Sequence, residues 1–150
     1  MDNPEDRASA LRGSLRDLAR RFGILDVYVF GSRAAEIAAR VRGEVERPGG
    51  PSASDVDVGV RPRGGAHFSV DERVDFALAL EQLFDVSRVD LVVLPEAGAF
   101  LALAVVSGEL LYFEDGTDQA DYQLYVLRRA GDLLPFERER RTLILEHGAR

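Results

Sequence analysis

The chain has 150 residues, 46% of them hydrophobic and 30% charged, enough for one soluble globular domain spanning 1–150 with its own core. With no cysteine it has no disulfide, thiol nucleophile or zinc ribbon, and its two distant histidines, His67 and His147, argue against a histidine cage. A metal would have to sit on carboxylates, which favours magnesium or manganese. All 19 basic residues are arginine, which excludes a lysine-dependent P-loop, and the net charge of −7 disfavours general nucleic-acid binding.

The start carries Asp2, Glu5 and Asp6 without an apolar run, so no signal peptide is expected there. The longest apolar stretch, near 97–107, is too short to cross a bilayer, so the expectation is a cytoplasmic protein with no membrane segment. Asn3-Pro4-Glu5-Asp6 reads as a helix start, with a cap, a first-turn proline and acids at the positive end of the dipole. Leu11, Leu15, Leu18 and Phe22 follow at helical spacing, and Gly23 stops the helix. Leu25 to Phe30 reads as a buried strand, with Asp26 in the turn leading into it as a structural residue. Arg33 to Arg42 reads as a helix with Ile37 and Val41 on one face, and 47–52 as a Pro-Gly-rich loop.

Asp55 to Arg61 alternates acids and valines as a second strand, and Val70 to Phe84 is a helix with Val74, Leu78 and Leu80 expected inward. Arg88 to Leu94 is a third strand, Pro95 opens a helix to Ser107 that Gly108 caps, and 110–113 is a short fourth strand. Asp115-Gly116 is a turn, and the remainder from about Asp118 is an amphipathic helix interrupted by Pro135. Alternating strands and helices of this kind make an α/β sheet with helices packed on it.

Three places carry chemistry. Gly31-Ser32 lies where a strand meets a helix. It reads either as an ordinary turn or as a phosphate cradle built from glycine, a hydroxyl and a helix N-terminus. Asp55 and Asp57 point the same way along a strand, so they either face water or share divalent cations. Asp90 opens an apolar strand and needs a counter-charge, supplied by Arg88 or by a metal shared with Asp55 and Asp57. Arg33 either reaches a phosphate or is a plain exposed helix residue; Arg61 and Arg63 are weaker candidates.

In chain order, a hydrophobic strand ending in Gly31-Ser32-Arg33-Ala34, then Ser54-Asp55-Val56-Asp57, then Val89-Asp90-Leu91-Val92 resembles the polymerase-β-type nucleotidyltransferase superfamily. Within it the chain resembles the minimal nucleotidyltransferases, or MNT proteins. Ser107-Gly108-Glu109-Leu110-Leu111-Tyr112, Asp121-Tyr122 and Asp132-Leu133-Leu134-Pro135-Phe136 look like that family's ending, so the likeness covers most of 22–136. The resemblance implies the nucleotidyltransferase fold, a short mixed sheet flanked by helices. It implies that Gly31 and Ser32, with Arg33 beside them, bind the distal phosphates of ATP. Asp55 and Asp57 would hold two magnesium ions, and Asp90 would complete the site as a metal ligand or as a base. In the family about ten residues separate Gly-Ser from the acidic pair, whereas here 33–54 intervene; a surface insertion of this length adds little closure entropy.

The resemblance further implies a partner, a small helical protein of the HEPN type, in what resembles a toxin–antitoxin pair. There the nucleotidyltransferase attaches AMP to a tyrosine of the ribonuclease toxin. Two other readings stay open: a non-catalytic module that neutralises its partner by binding, and a small-molecule enzyme of the aminoglycoside-modifying kind. Tyr122, Leu124 and Tyr125 read as core residues of the last helix, with partner docking as the alternative. Hetero- and homo-oligomers both remain open.

Overall fold

In the computed structural model, which describes residues 3–44, 55–64 and 68–147, Asn3 caps the first helix. Its side-chain oxygen accepts the N–H of Glu5 at 3.3 Å, Pro4 occupies the first turn, and α1 runs Pro4–Arg21. Then follow β1 (Ile24–Phe30), α2 (Ala34–Arg42), β2 (Val56–Pro62), α3 (Val70–Phe84), β3 (Val89–Val93), a 3-10 turn at Leu94–Glu96, α4 (Ala99–Val106), β4 (Glu109–Phe113) and α5 (Gly116–His147). The loop at 47–52 and His67 fall outside the described residues. The four strands form one mixed sheet in the order β3-β2-β1-β4. β1 runs antiparallel to both β2 and β4, while β2 and β3 are parallel.

Strand alternation splits the core in two. Val27, Val29, Val56, Val58, Val60, Val89 and Val93 pack with Leu15, Ile37, Phe76 and Leu80 of α1, α2 and α3. On the other face Tyr28 joins Leu94, Ala102, Val105 and Val126. Because helices cover both faces, β1 reads as nearly continuous apolar sequence rather than as a clean alternation. Gly59 in β2 is what lets α4 approach: a Cβ there would collide with the Val105 side chain.

Four local expectations are corrected. Val74 and Leu78 face outward at 51% and 52% exposure, because Phe76, Leu80 and Phe84 take the buried face of α3. Of the three residues expected inward only Leu80 is; the aromatic set wins through edge-to-face contacts of Phe76 with Phe22 and Phe68. The helix expected from Pro95 is a 3-10 turn and, after Gly98, α4, whose C-cap is Ser107 rather than Gly108. Pro135 lies inside α5 without ending it. The carbonyl that loses its donor belongs to Gly131.

Asp26 is the fourth. It sits inside β1, fully buried, not in a turn before it. Arg61 of β2 donates to it from Nε at 2.5 Å and to Asp118 of α5 from a terminal nitrogen at 2.7 Å, with its guanidinium 4.7 Å from the Tyr122 ring centre. Gln119 donates to the Tyr28 hydroxyl at 2.6 Å. Burial raises the Asp26 pKa even though the Arg61 hydrogen bond and charge pull it down. This network fixes α5 to the sheet and leaves Arg61 structural. Arg63 pairs with Glu114 near the same end of the sheet.

Candidate active site

β1 ends at Phe30, and the chain turns sharply at Gly31, whose φ of +79° is open to glycine and strained for other residues. Phe30 is the register partner of Asp57 on β2, and Asp57 is the register partner of Asp90 on β3. The turn after β1 and the starts of β2 and β3 therefore meet at one end of the sheet. Asp55 lies just before β2, one pleat from Asp57. Two register pairings thus bring Gly31, Asp57 and Asp90, distant in sequence, into one row.

The row is tight at its Gly31 end. A Cβ on Gly31 would lie 2.5 Å from Oδ2 of Asp57, so any side chain there displaces the carboxylate. Gly31 and Ser32 are both exposed, and the α2 N-terminus that follows them has no side-chain cap. The Ala34 N–H is taken by the Gly31 carbonyl at 3.2 Å, and the Ser32 hydroxyl and the positive end of the helix stand beside the acids. Arg33 is turned away from this surface. It is buried, with Nε and a terminal nitrogen on Glu36 Oε2 at 3.1 and 2.6 Å. Arg40 shares that oxygen at 3.2 Å and donates to the Phe84 carbonyl at 2.7 Å, so the group braces α2 against α3.

The acids feel one another. The Asp57 pKa is raised, first by burial and then by the charges of Asp90 and Asp55. Arg88, just before β3, supplies the local positive charge: its Nε lies 3.4 Å from Asp90 Oδ1 and 3.7 Å from Asp55 Oδ2. At 68% side-chain exposure these pairs are weak and solvent-screened. Of the two counter-charges considered for Asp90, Arg88 lies beside it, and Asp57, which would share a metal with it, is its register neighbour. The sequence did not show that Arg88 also reaches Asp55; that depends on the parallel pairing of β2 with β3.

Among the described residues, no three acidic or histidine side chains stand close enough to coordinate one ion as they are placed. The donors nevertheless fit a hard divalent cation in kind. All three are carboxylates, they share one end of the sheet, and Gly31 leaves room for the Asp57 oxygen. Among the described residues no helix is long and apolar enough to cross a membrane.

No family model matches the sequence, and no curated protein does. Solved structures do match in fold. A chain of a toxin–antitoxin complex crystallised with AMP-PNP is 22% identical with a TM-score of 0.60, covering 90% of this chain and 96% of its own length. A chain of the MntA–HepT toxin–antitoxin complex is 20% identical with a TM-score of 0.58, over 92% and 97% of the two chains. A chain of the complex between tri-AMPylated Shewanella oneidensis HEPN toxin and MNT antitoxin is 21% identical with a TM-score of 0.58, over 93% and 97%. At these identities the likeness is one of fold, a four-stranded mixed sheet packed with helices.

Proposed function

We propose that this chain is a nucleotidyltransferase that moves AMP from ATP to a hydroxyl of a HEPN-type protein, the acceptor being a tyrosine, and so acts as an antitoxin. The observation that carries the reading is the row of Gly31, Asp57 and Asp90, with the Asp57 carboxylate held against the glycine backbone. The solved structures of similar fold support it, one holding AMP-PNP and another pairing an MNT antitoxin with a tri-AMPylated HEPN toxin.

In this reading Gly31, Ser32 and the uncapped start of α2 receive the β- and γ-phosphates, which orients the α-phosphorus toward the acids. Asp55, Asp57 and Asp90 would hold two magnesium ions, which when bound neutralise charge on the attacking and leaving oxygens. Asp90 is separated from Gly31 by the Asp57 strand, on the side where an acceptor hydroxyl can give up its proton. The acceptor oxygen bonds to the α-phosphorus as the bond to pyrophosphate breaks. Arg33, tied to Glu36, serves by stiffening the first turn of α2 behind the phosphate cradle.

The test uses ATP labelled at the α-phosphate, magnesium and a HEPN-type partner protein. Label should pass to the partner and be lost in the Asp55→Asn plus Asp57→Asn double variant. A complex that forms and neutralises the partner without any label transfer would replace the enzyme with a binding module.

A further inference from the structure

α5 is 32 residues long, about 48 Å at 1.5 Å per residue, and outreaches the body it packs on. Among the described side chains its last buried residue is Ala130; from Gly131 to Arg141 every one but Glu137 is exposed. An unsupported helix of that length is marginal in water, and an internal proline weakens it further. Yet the helix carries an apolar stripe on its outer flank. Leu124, Leu127 and Leu134 are 48%, 42% and 40% exposed, with Gly131 between the last two and nothing within 4 Å of where its Cβ would lie. The stripe continues to exposed Ala120 and Thr117 at one end and to exposed Arg138 and Arg141 at the other.

We infer that this stripe pairs antiparallel with the same stripe of a second copy of the chain. Its order of large and small residues is self-complementary. When Leu124 of one copy meets Leu134 of the other, Leu127 falls opposite Gly131, a knob over a hollow, and the same pair recurs across the two-fold axis. In that register the long stems of Arg138 and Arg141 lie over Ala120 and Thr117. Their charges then come to the end of the helix that carries Asp118 and Asp121. Arg140 falls opposite Asp118 in the same register, while Glu137, which holds Arg140 and Arg141 within its own helix, falls opposite Asp121, so charge neither opposes nor selects the pairing.

A second exposed apolar line among the described residues, Val70, Val74 and Leu78 on α3, is shorter and has no glycine hollow to receive a partner's leucine. A two-helix contact running from Thr117 to Arg141 buries on the order of 1,000 Å² in total, at the threshold of a specific interface. The dimer is therefore expected to be reversible, in the micromolar range, and independent of nucleotide and metal.

Sedimentation equilibrium of the full chain in EDTA, from micromolar to several hundred micromolar, tests this. The expected result is a monomer–dimer equilibrium that Leu127→Glu weakens at least tenfold. Gly131→Leu should weaken it similarly while raising the helix content and melting temperature of the monomer, since the added side chain meets nothing in one copy and improves helix propensity. That variant separates loss of the contact from loss of folding. A chain that stays monomeric at the highest concentration, or a dimer that neither substitution weakens, overturns the inference and leaves the stripe to a partner of different sequence.

Discussion

Replacing Asp57 by Asn should stabilise the metal-free protein. Asp57 and Asp90 are register neighbours on adjacent strands, which places their Cα atoms about 4.8 Å apart. Two unit charges about 5 Å apart repel by roughly 0.8 kcal/mol in water and by roughly 3 kcal/mol at an effective dielectric of 20. The Asp90 side chain is 44% exposed, so the lower end governs and about 1 kcal/mol is recovered on neutralisation. For a domain of this size that is about 2–4 °C in melting temperature.

The pH dependence follows from the sign of the shift. The folded Asp57 pKa is raised, so between the unfolded value and the raised one the native state binds more protons, and stability falls as pH increases through that window. Below the ordinary carboxylate range the group is protonated in both states and the penalty vanishes. Scanning fluorimetry in EDTA should therefore show the variant ahead of wild type at pH 7.5 and level with it below about pH 3, with the lead shrinking in 1 M salt. A variant that melts below wild type at pH 7.5, or that keeps its lead at low pH, refutes the placement of Asp57 in an acidic cluster.

Removing Arg61 as Arg61→Met leaves Asp26 buried without its partner and should cost about 3–5 kcal/mol in urea unfolding, while Asp26→Leu with Arg61→Met should regain most of it. Gly31→Ala combines positive φ with a Cβ against the Asp57 carboxylate. It should lose about 1–2 kcal/mol of stability and nearly all AMP transfer. Nucleotide transfer at wild-type rate in that variant would remove Gly31 from the site.

Much of the candidate site was legible along the chain because its parts are local. Gly31-Ser32 marks the end of an apolar strand, and Asp55 and Asp57 share a face through the two-residue period of a strand. The strands and helices followed from the same periodicities. The phase of α3 did not, because Val74 and Leu78 satisfy helical spacing as well as Phe76, Leu80 and Phe84 do. Nothing within the helix says which set meets a neighbour. Arg33 misled for a similar reason: beside a phosphate cradle it looked outward-facing, and only the packing of α2 on α3 turned it toward Glu36.

The sequence by itself determined the order of strands and helices, the absence of thiol chemistry, and which carboxylates were candidates. Those follow from side-chain chemistry and short-range periodicity. Tertiary structure alone decided that Asp90 stands beside Asp57 rather than on another strand's flank, that Asp26 is an interior anchor held by Arg61, and that α5 from Gly131 to Arg141 runs past the core. Each of these depends on strand order, register or the size of the body under a helix. Pairings between segments tens of residues apart leave no periodic trace in the chain.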